Sequence, residues 1–207
     1  MKSFLRTGAA LVATGLVVVN LSGCAPLVMG GAAATTLLVN IDRRTSGIQV
    51  EDEAIELKAG SRIRDALGDR AHVNVTSYNR QVLLSGEVPN EQAKAQAAAI
   101  AQRVENVKGV LNELAVMDKS TLTQRSSDAL ISGRVKAALI DAKDISASAV
   151  KVVTERGTVF LLGRVTTREA ERATAITRSV PSVAKVVRAF EYLTEDELKA
   201  IQTNLTR

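Results

Sequence analysis

Val82-Leu-Leu-Ser-Gly-Glu-Val88 and Val159-Phe-Leu-Leu-Gly-Arg-Val165 are two versions of one motif within the same chain. An alternating, strand-like segment stands before each version, and an alanine-rich helical stretch with a further strand-like run stands after each. A short amphipathic helix opens each unit, at 63–67 and at 135–139. Two copies are too few for a solenoid. The repeat therefore predicts two tandem domains of the same fold.

The order of elements in one unit follows from its local patterns. Val73, Val75 and Ser77 alternate with polar residues, which is the periodicity of a strand. Turn-like residues at 78–81 and 155–158 separate two strand runs and predict a β-hairpin in each unit, where Gly157 can supply the positive φ of the turn. We therefore predict an α+β fold, in which each αββαβ module has a three-stranded mixed sheet that two helices cover on one face.

The same patterns divide the chain into segments. We expect a signal peptide at 1–23, a lipidated flexible tether at 24–51, the first domain at 52–118, a linker at 119–125, the second domain at 126–193 and a C-terminal tail at 194–207. The tether is rich in Gly, Ala and Thr, which favours a segment mostly without fixed structure, and a short helix lying on the membrane is the alternative. The tail has a helical pattern with Thr194 as its cap.

The leader has the features of an export signal. Lys2 and Arg6 give it a basic start, a short apolar run follows at 9–19, and Leu21-Ser-Gly-Cys24 comes directly after that run. An apolar stretch this short favours a removable signal peptide over a membrane span, and an anchor helix that stays attached is the alternative. Cys24 is the only cysteine, so no disulfide can form within the chain.

Leu21-Ser-Gly-Cys24 resembles the lipobox of bacterial lipoproteins. The resemblance implies that the thiol of Cys24 takes a diacylglyceryl group, that cleavage occurs just before this residue, and that the new amine is acylated. Two or more acyl chains anchor a protein stably. In such lipoproteins an Asp after the cysteine favours retention in the inner membrane, so Ala25 implies a lipid anchor in the outer membrane, on its periplasmic face.

The repeated units resemble the BON domain, whose name refers to bacterial OsmY and nodulation proteins. The shared features are the glycine of Leu-Ser-Gly-Glu-Val and Leu-Leu-Gly-Arg-Val, the alanine-rich helix, and the run Val107-Lys-Gly-Val-Leu-Asn-Glu-Leu114. The segments 47–52, 73–78 and 152–170 extend the likeness to outer-membrane lipoproteins that carry two BON domains. This resemblance covers nearly the whole mature chain. It implies a role in envelope integrity through binding of anionic phospholipids, without catalysis.

A constellation for catalysis is absent from the sequence. His72 is the only histidine, and we expect it to face solvent at the start of a strand, with no nucleophile beside it. No serine lies in a Gly-x-Ser-x-Gly turn, which argues against an envelope hydrolase. One His and one lipidated Cys cannot supply a zinc site, and no glycine belongs to a phosphate-binding loop. We therefore expect no enzymatic activity, no cofactor and no metal.

The two predicted domains differ in charge. Residues 52–118 hold 8 Lys and Arg against 10 Asp and Glu, a net charge of −2, whereas residues 126–193 hold 11 against 7, a net charge of +4. A basic surface is attracted to anionic headgroups by about 1 kcal/mol for each well-placed cation, and charge that serves only solubility is the alternative. Nucleic acid would suit the charge too, but export and the lack of stacking aromatics argue against it as a partner.

The candidate lipid surface is the helix predicted at 127–139, which Ser127 or Asp128 can cap. One face of this helix should be core, with Ile131, Val135, Ala138 and Leu139. Leu130, Arg134 and Ala137 share another face, which leaves an exposed Leu beside cations, as in helices that bind a membrane interface. The alternative for Leu130 is packing between the two domains.

The resemblance adds a role for this helix. In dual BON-domain lipoproteins the first helix of the second domain carries the phospholipid contact, and an aromatic residue stands at the position of Leu130. A Leu inserts into lipid but lacks the headgroup-level preference of an aromatic ring. The residues expected to contact phospholipid are Leu130, Ile131, Gly133, Arg134 and Lys136.

Sequence and resemblance together predict an outer-membrane-anchored periplasmic lipoprotein that binds anionic phospholipids through its second BON domain and supports envelope integrity. The alternative is a non-catalytic adaptor that contacts an outer-membrane assembly machine or a peptidoglycan-associated partner. The two differ in whether the second domain binds anionic lipid when the anchor is removed.

Overall fold

The computed structural model describes residues 42–205, with side chains up to residue 203. Cys24, the predicted signal peptide and most of the predicted tether lie outside these residues. The first module consists of α1 (Ser46–Leu67), β1 (His72–Tyr78), β2 (Gln81–Val88), α2 (Glu91–Gln102), β3 (Gly109–Asn112) and β4 (Ala115–Val116). The second consists of α3 (Leu122–Asp141), β5 (Val150–Glu155), β6 (Thr158–Thr166), α4 (Thr167–Ser179) and β7 (Lys185–Leu193), and α5 (Glu195–Leu205) follows it. The predicted α+β fold of two αββαβ modules is confirmed.

Each module has one mixed sheet, as predicted. β2 runs antiparallel to β1 and parallel to β3 and β4, and β6 runs antiparallel to β5 and parallel to β7. The third line of the first sheet is interrupted at 113–114, which divides it into β3 and β4. The matching strand β7 is unbroken and pairs along all of β6. The two sheets therefore differ mainly at this outer edge.

Two helices begin earlier than the sequence patterns indicated. α1 starts at Ser46, where the Thr45 side chain accepts a hydrogen bond from the backbone N–H of Ile48, so the end of the expected tether is helical. α3 starts at Leu122 with a capping box between Thr121 and Gln124, which shortens the expected linker at 119–125. Side-chain caps satisfy N–H groups that the first turn of a helix leaves open, and this extends both helices. The expected C-terminal helix is present, and Thr194 caps it together with Glu197.

The core of each module lies between its helices and one face of its sheet. Aliphatic residues and alanines fill both cores. The three alanines on the buried face of α2, Ala93, Ala97 and Ala101, let this helix lie close to the sheet. The corresponding core of the second module contains Ile131, Val135, Leu139, Leu161 and Ala173. Each fully buried aliphatic side chain contributes about 1.5–3 kcal/mol through removal from water.

The faces of the two sheets that carry no helices pack against each other. Tyr78 and Leu83 of the first module form one buried cluster with Phe160 and Leu162 of the second. Residues of β2 and β6 alternate between this cluster and the helix-covered core, as strand geometry requires. The sheets therefore form the centre of the molecule, and the helices lie outside them, where their outer faces meet solvent.

The glycine of the repeated motif has the same steric role in both modules. A Cβ atom on Gly86 would lie 2.2 Å from the carbonyl oxygen of His72, and one on Gly163 would lie 2.2 Å from the carbonyl oxygen of Ala149. A Cβ atom cannot lie this close to a backbone oxygen, so only glycine allows the neighbouring backbone segment of the same module to pass at this distance. This requirement accounts for the glycine at the same place in both copies.

An aspartate near the start of the first helix holds the hairpin turn in each module. Asp52 accepts hydrogen bonds from the backbone N–H groups of Asn79 and Arg80, at 2.8 and 2.7 Å. Asp128 accepts from those of Arg156 and Gly157, at 2.8 Å each. All four turn residues have positive φ, between 49° and 71°, as a tight hairpin turn needs. The positive φ predicted for Gly157 is confirmed.

Candidate functional site

The outer face of α3 is an exposed apolar surface. Leu122, Leu130 and Ile140 are 80 %, 63 % and 64 % exposed. They lie opposite the core residues of this helix, on the side that also carries exposed Ala129, Gly133 and Ala137. We call these six residues the α3 outer face. It extends along nearly the whole helix, and nothing in residues 42–203 covers its three large side chains.

Two cations border the α3 outer face. At 100° per residue, Arg134 lies about 95° to one side of its centre and Lys136 about 65° to the other. Both side chains are exposed. Within the part of the chain that the structure describes, neither is engaged in an ion pair. An apolar strip with a cation on each side is the arrangement by which a helix binds in the plane of a membrane interface.

The structure separates the predicted contact residues into two groups. Leu130, Gly133, Arg134 and Lys136 are exposed on the outer side of α3, and a Cβ atom on Gly133 would meet no other atom within 4 Å. Ile131 is 4 % exposed and packs in the core, so its inclusion as a lipid contact is wrong. Leu130 takes no part in the packing between the modules, which removes that alternative for it.

Leu122 and Ile140 belong to the same surface but lie beyond the helix as predicted. The signal for the longer helix was in the sequence: Thr121 and Gln124 have the spacing of a capping box. Extending the helix from this cap places Leu122, Ala129, Gly133 and Ile140 on one side. Recognition of the cap would therefore have predicted the full length of the apolar face.

The equivalent helix of the first module provides a comparison. Asp52 and Asp128 hold equivalent turns, so they occupy equivalent positions in α1 and α3. When the two helices are aligned on these aspartates, Leu57 of α1 corresponds to Gly133 of α3. Leu57 is 74 % exposed and shares its side of α1 with exposed Val50 and with the charged Glu53 and Arg64. Lys58 is bound to Glu105, with 3.0 Å between Nζ and Oε2. The α1 surface therefore has charged residues of both signs within it, whereas the six residues of the α3 outer face are uncharged and exposed Asp141 stands beside its C-terminal end.

A second cluster of polar residues lies where the modules meet. The buried carboxylate of Glu87 accepts hydrogen bonds from His72 Nδ1 at 2.9 Å, from the backbone N–H of Ser120 at 3.0 Å and from Arg156 Nε at 2.7 Å. His72 is therefore a partner of Glu87, and its side chain is only 17 % exposed, which corrects the expectation that it faces solvent. Burial alone would raise the pKa of Glu87, but the bonds from Ser120, Arg156 and His72 outweigh it and lower the pKa.

Glu155 completes this interface cluster. One ligand atom from each of His72, Glu87 and Glu155 lies within 4.8 Å of the other two. The amide of Asn74, on β1, donates to Glu155 Oε1 across the interface. Burial raises the pKa of Glu155 in spite of that hydrogen bond. These three side chains are the ones that could hold a metal ion in the part of the chain that the structure describes.

The comparisons with known proteins agree with this architecture. The BON domain model matches residues 51–118 and 127–194, and the chain belongs to the BON domain family. None of the helices within residues 42–205 is long and apolar enough to cross a membrane.

Relatives over most of the chain narrow the class further. The chain is 40 % identical over 175 residues to the outer membrane lipoprotein DolP of Haemophilus influenzae, covering 84 % of this chain and 90 % of that protein. It is 35 % identical over 155 residues to the 21 kDa hemolysin of Actinobacillus pleuropneumoniae, covering 74 % and 80 %. The osmotically-inducible protein Y of Escherichia coli is 28 % identical over 145 residues, with coverage of 66 % and 70 %. The chain is therefore a dual BON-domain lipoprotein of the outer membrane, of the DolP family.

Proposed function

We propose that this lipoprotein binds anionic phospholipids through the α3 outer face and thereby supports the integrity of the envelope, without catalysis. Acyl chains on Cys24 would hold it at the periplasmic face of the outer membrane. The observation that carries the proposal is the pairing of an exposed apolar face with cations on both of its borders, on one helix of the second module.

The apolar residues supply one part of the binding free energy. Full burial of a Leu or Ile side chain contributes about 1.5–3 kcal/mol. Leu122, Leu130 and Ile140 are each about two-thirds exposed or more, so their insertion between headgroups would remove most of that area from water. A helix that lies in the interface plane reaches the acyl boundary with such side chains.

The cations supply the preference for anionic lipid. Arg134 and Lys136 each contribute about 1 kcal/mol next to an anionic surface, and this attraction is screened by salt. Zwitterionic lipid offers the same apolar boundary without the net charge. We therefore expect binding to anionic vesicles that weakens with ionic strength, and much weaker binding to zwitterionic vesicles.

Because the anchor holds the protein at the membrane, a lipid-binding surface of low affinity would be sufficient for docking. Residues 25–42 separate Cys24 from the folded body, which is a reach of about 60 Å when fully extended. A linker of this length would keep the effective concentration of the docking surface at the membrane at about millimolar. A docking surface with modest affinity would therefore stay occupied, and its lipid preference would decide where the protein resides in the membrane.

The test is flotation of the mature chain, residues 24–207 with Cys24→Ser, on vesicles of phosphatidylcholine with and without phosphatidylglycerol. Leu130→Glu should lower binding to anionic vesicles at least tenfold. Leu57→Glu on α1 is the matched control and should bind as the parent does. Equal losses in both variants, or no binding of the parent to anionic vesicles, would refute the proposal and favour a protein-binding adaptor.

A further inference from the structure

The cluster of His72, Glu87 and Glu155 has the composition of a site for a transition metal. An imidazole and two carboxylates are ligands that zinc and related divalent ions accept, with a water completing a four-coordinate site. The ligands come from the start of β1, the end of β2 and the end of β5. The first two belong to the first module and the third to the second, so an ion here would bridge the modules.

The distances within the cluster suit an ion in place of a proton. His72 Nδ1 and Glu87 Oε2 are 2.9 Å apart. Two ligands at about 2.0–2.1 Å from zinc in a tetrahedral site are separated by about 3.3 Å. The hydrogen bond would therefore open by only a few tenths of an ångström. The ligand atoms of the three residues lie within 4.8 Å of one another, so the Glu155 oxygen would have to approach the other two by at most about 1.5 Å.

Outer hydrogen bonds already orient both carboxylates. Arg156 donates to Glu87 Oε1, the oxygen that faces away from His72, and Ser120 donates to Glu87 Oε2 from both its backbone N–H and its hydroxyl. Asn74 donates to Glu155 Oε1 and leaves Oε2 for a ligand bond. In metal sites the ligating carboxylates are characteristically held by such outer partners, which fix their orientation and raise affinity.

The charges around the cluster leave a carboxylate uncompensated. Arg156 is engaged with Glu87, while among residues 42–203 the neutral amide of Asn74 is the only hydrogen-bond partner of the Glu155 carboxylate. No ion pair to Glu155 is formed within residues 42–203, and the carboxylate of Glu87 belongs to the same cluster. A half-buried carboxylate without an ion-pair partner gains from a nearby cation, because charge pairing offsets the cost of desolvation.

We propose that His72, Glu87 and Glu155 bind a divalent transition metal, with zinc as the reference ion, and that the ion fastens the two BON modules together. Binding needs His72 to keep its proton on Nε2 so that Nδ1 can coordinate, and it releases protons wherever the ligands are protonated. The proposal does not rest on lipid docking, because none of the three residues belongs to the α3 outer face, although His72 and Glu155 line a cavity together with Ala129 of α3.

The experiment uses zinc chloride and the mature chain, residues 24–207 with Cys24→Ser and no histidine tag. The substitution removes the only thiol, and His72 is then the only imidazole. The imidazole signals in a nitrogen–proton NMR spectrum therefore report on this site alone. We expect stoichiometric zinc to shift these signals and, at 100 times Kd, to raise Tm by about 5–10 °C.

Three variants complete the test. His72→Gln and Glu155→Gln should each weaken zinc binding at least tenfold in calorimetric titration, a loss typical of a missing ligand. Glu171→Gln changes an exposed carboxylate of the same module and should bind as the parent does. The proposal is overturned if the His72 signals do not move with zinc, or if binding survives both ligand substitutions.

Discussion

Asp52→Asn should destabilise the protein by about 3–5 kcal/mol. The buried carboxylate accepts four hydrogen bonds: from Ser77 Oγ and the Arg80 N–H on one oxygen, and from the Asn79 N–H and Arg44 Nη1 on the other. Asparagine has the same shape but places a donor where two of these donors point. Hydrogen bonds to a charged group contribute about 1.5–3 kcal/mol each, and two of the four are lost. Reduced desolvation of the neutral amide offsets part of this cost.

The equivalent change in the second module provides the comparison. Asp128 receives two backbone hydrogen bonds from its turn, so Asp128→Asn should cost about 2 kcal/mol. Glu53→Gln, an exposed change on α1, should stay within about 0.5 kcal/mol of the parent. Urea unfolding followed by circular dichroism at neutral pH measures all three free energies of unfolding.

The dependence on pH tests the cause of the Asp52 effect. Burial opposes ionisation of Asp52, but the bonds from Ser77, Arg80, Arg44 and Asn79 lower its pKa below 3.8. A lowered pKa contributes stability above the unfolded value, and this contribution disappears as pH falls through the folded value. The difference between parent and Asp52→Asn should therefore shrink below pH 4. A cost below 1 kcal/mol at neutral pH, or one no larger than that of Asp128→Asn, would contradict the reasoning.

The remaining predictions concern two glycine substitutions and the dependence of stability on pH. Gly163→Ala should destabilise by more than about 2 kcal/mol in urea unfolding, because its Cβ atom would lie 2.2 Å from the Ala149 oxygen, whereas Gly133→Ala should stabilise α3 by about 0.5–1 kcal/mol. Stability should fall below about pH 4.5, since the folded pKa values of Asp52, Glu87 and Glu169 are all lowered. The pKa of Glu155 is raised, so its ionisation destabilises the folded state as pH rises above 4.5. Glu155→Gln should remove this loss of stability. A plot of unfolding free energy against pH that runs parallel to that of the parent would contradict this.

Most of the fold could be predicted from the internal repeat, because its signals are local. Alternation around Val73 and Val150 and the turn at Gly157 are local signals of a hairpin, and the structure has both hairpins where these signals stand. With the order αββαβ, the two helices of a module can pack on its three-stranded sheet in only a few ways, and both on one face is the arrangement predicted. The interruption of the third line at 113–114 has no local signal comparable to a proline, and it was not predicted.

The contacts between residues of the two modules could not be predicted from the sequence patterns. Glu87 stands in the repeated motif as an ordinary charged position, and its partner Arg156 is in the turn of the other module. His72 and Glu155 are likewise separated along the chain and come together only because the sheets pack face to face. Periodicity records which face of an element is buried, but it contains no information on which two faces meet.

The packing of the sheets leaves the first helix of each module on the outside of the molecule. Because the helix-free faces cover each other, both first helices lie outside and both could meet a membrane. The segment that leads to the anchor contacts both modules. Buried Arg43 forms a bidentate ion pair with Glu169 of α4, at 2.8 and 2.6 Å, and donates to the carbonyl oxygen of Arg164 at 2.7 Å. Arg44 Nη1 donates to Asp52 of α1 at 2.7 Å. Arg43 lines a groove whose other wall includes Ile140, at the end of the α3 outer face. The segment that leads to the lipid anchor therefore meets the body near the end of α3 and directly before the start of α1 at Ser46, so it is the apolar face with its two cations, and not the position of the anchor, that distinguishes α3 from α1.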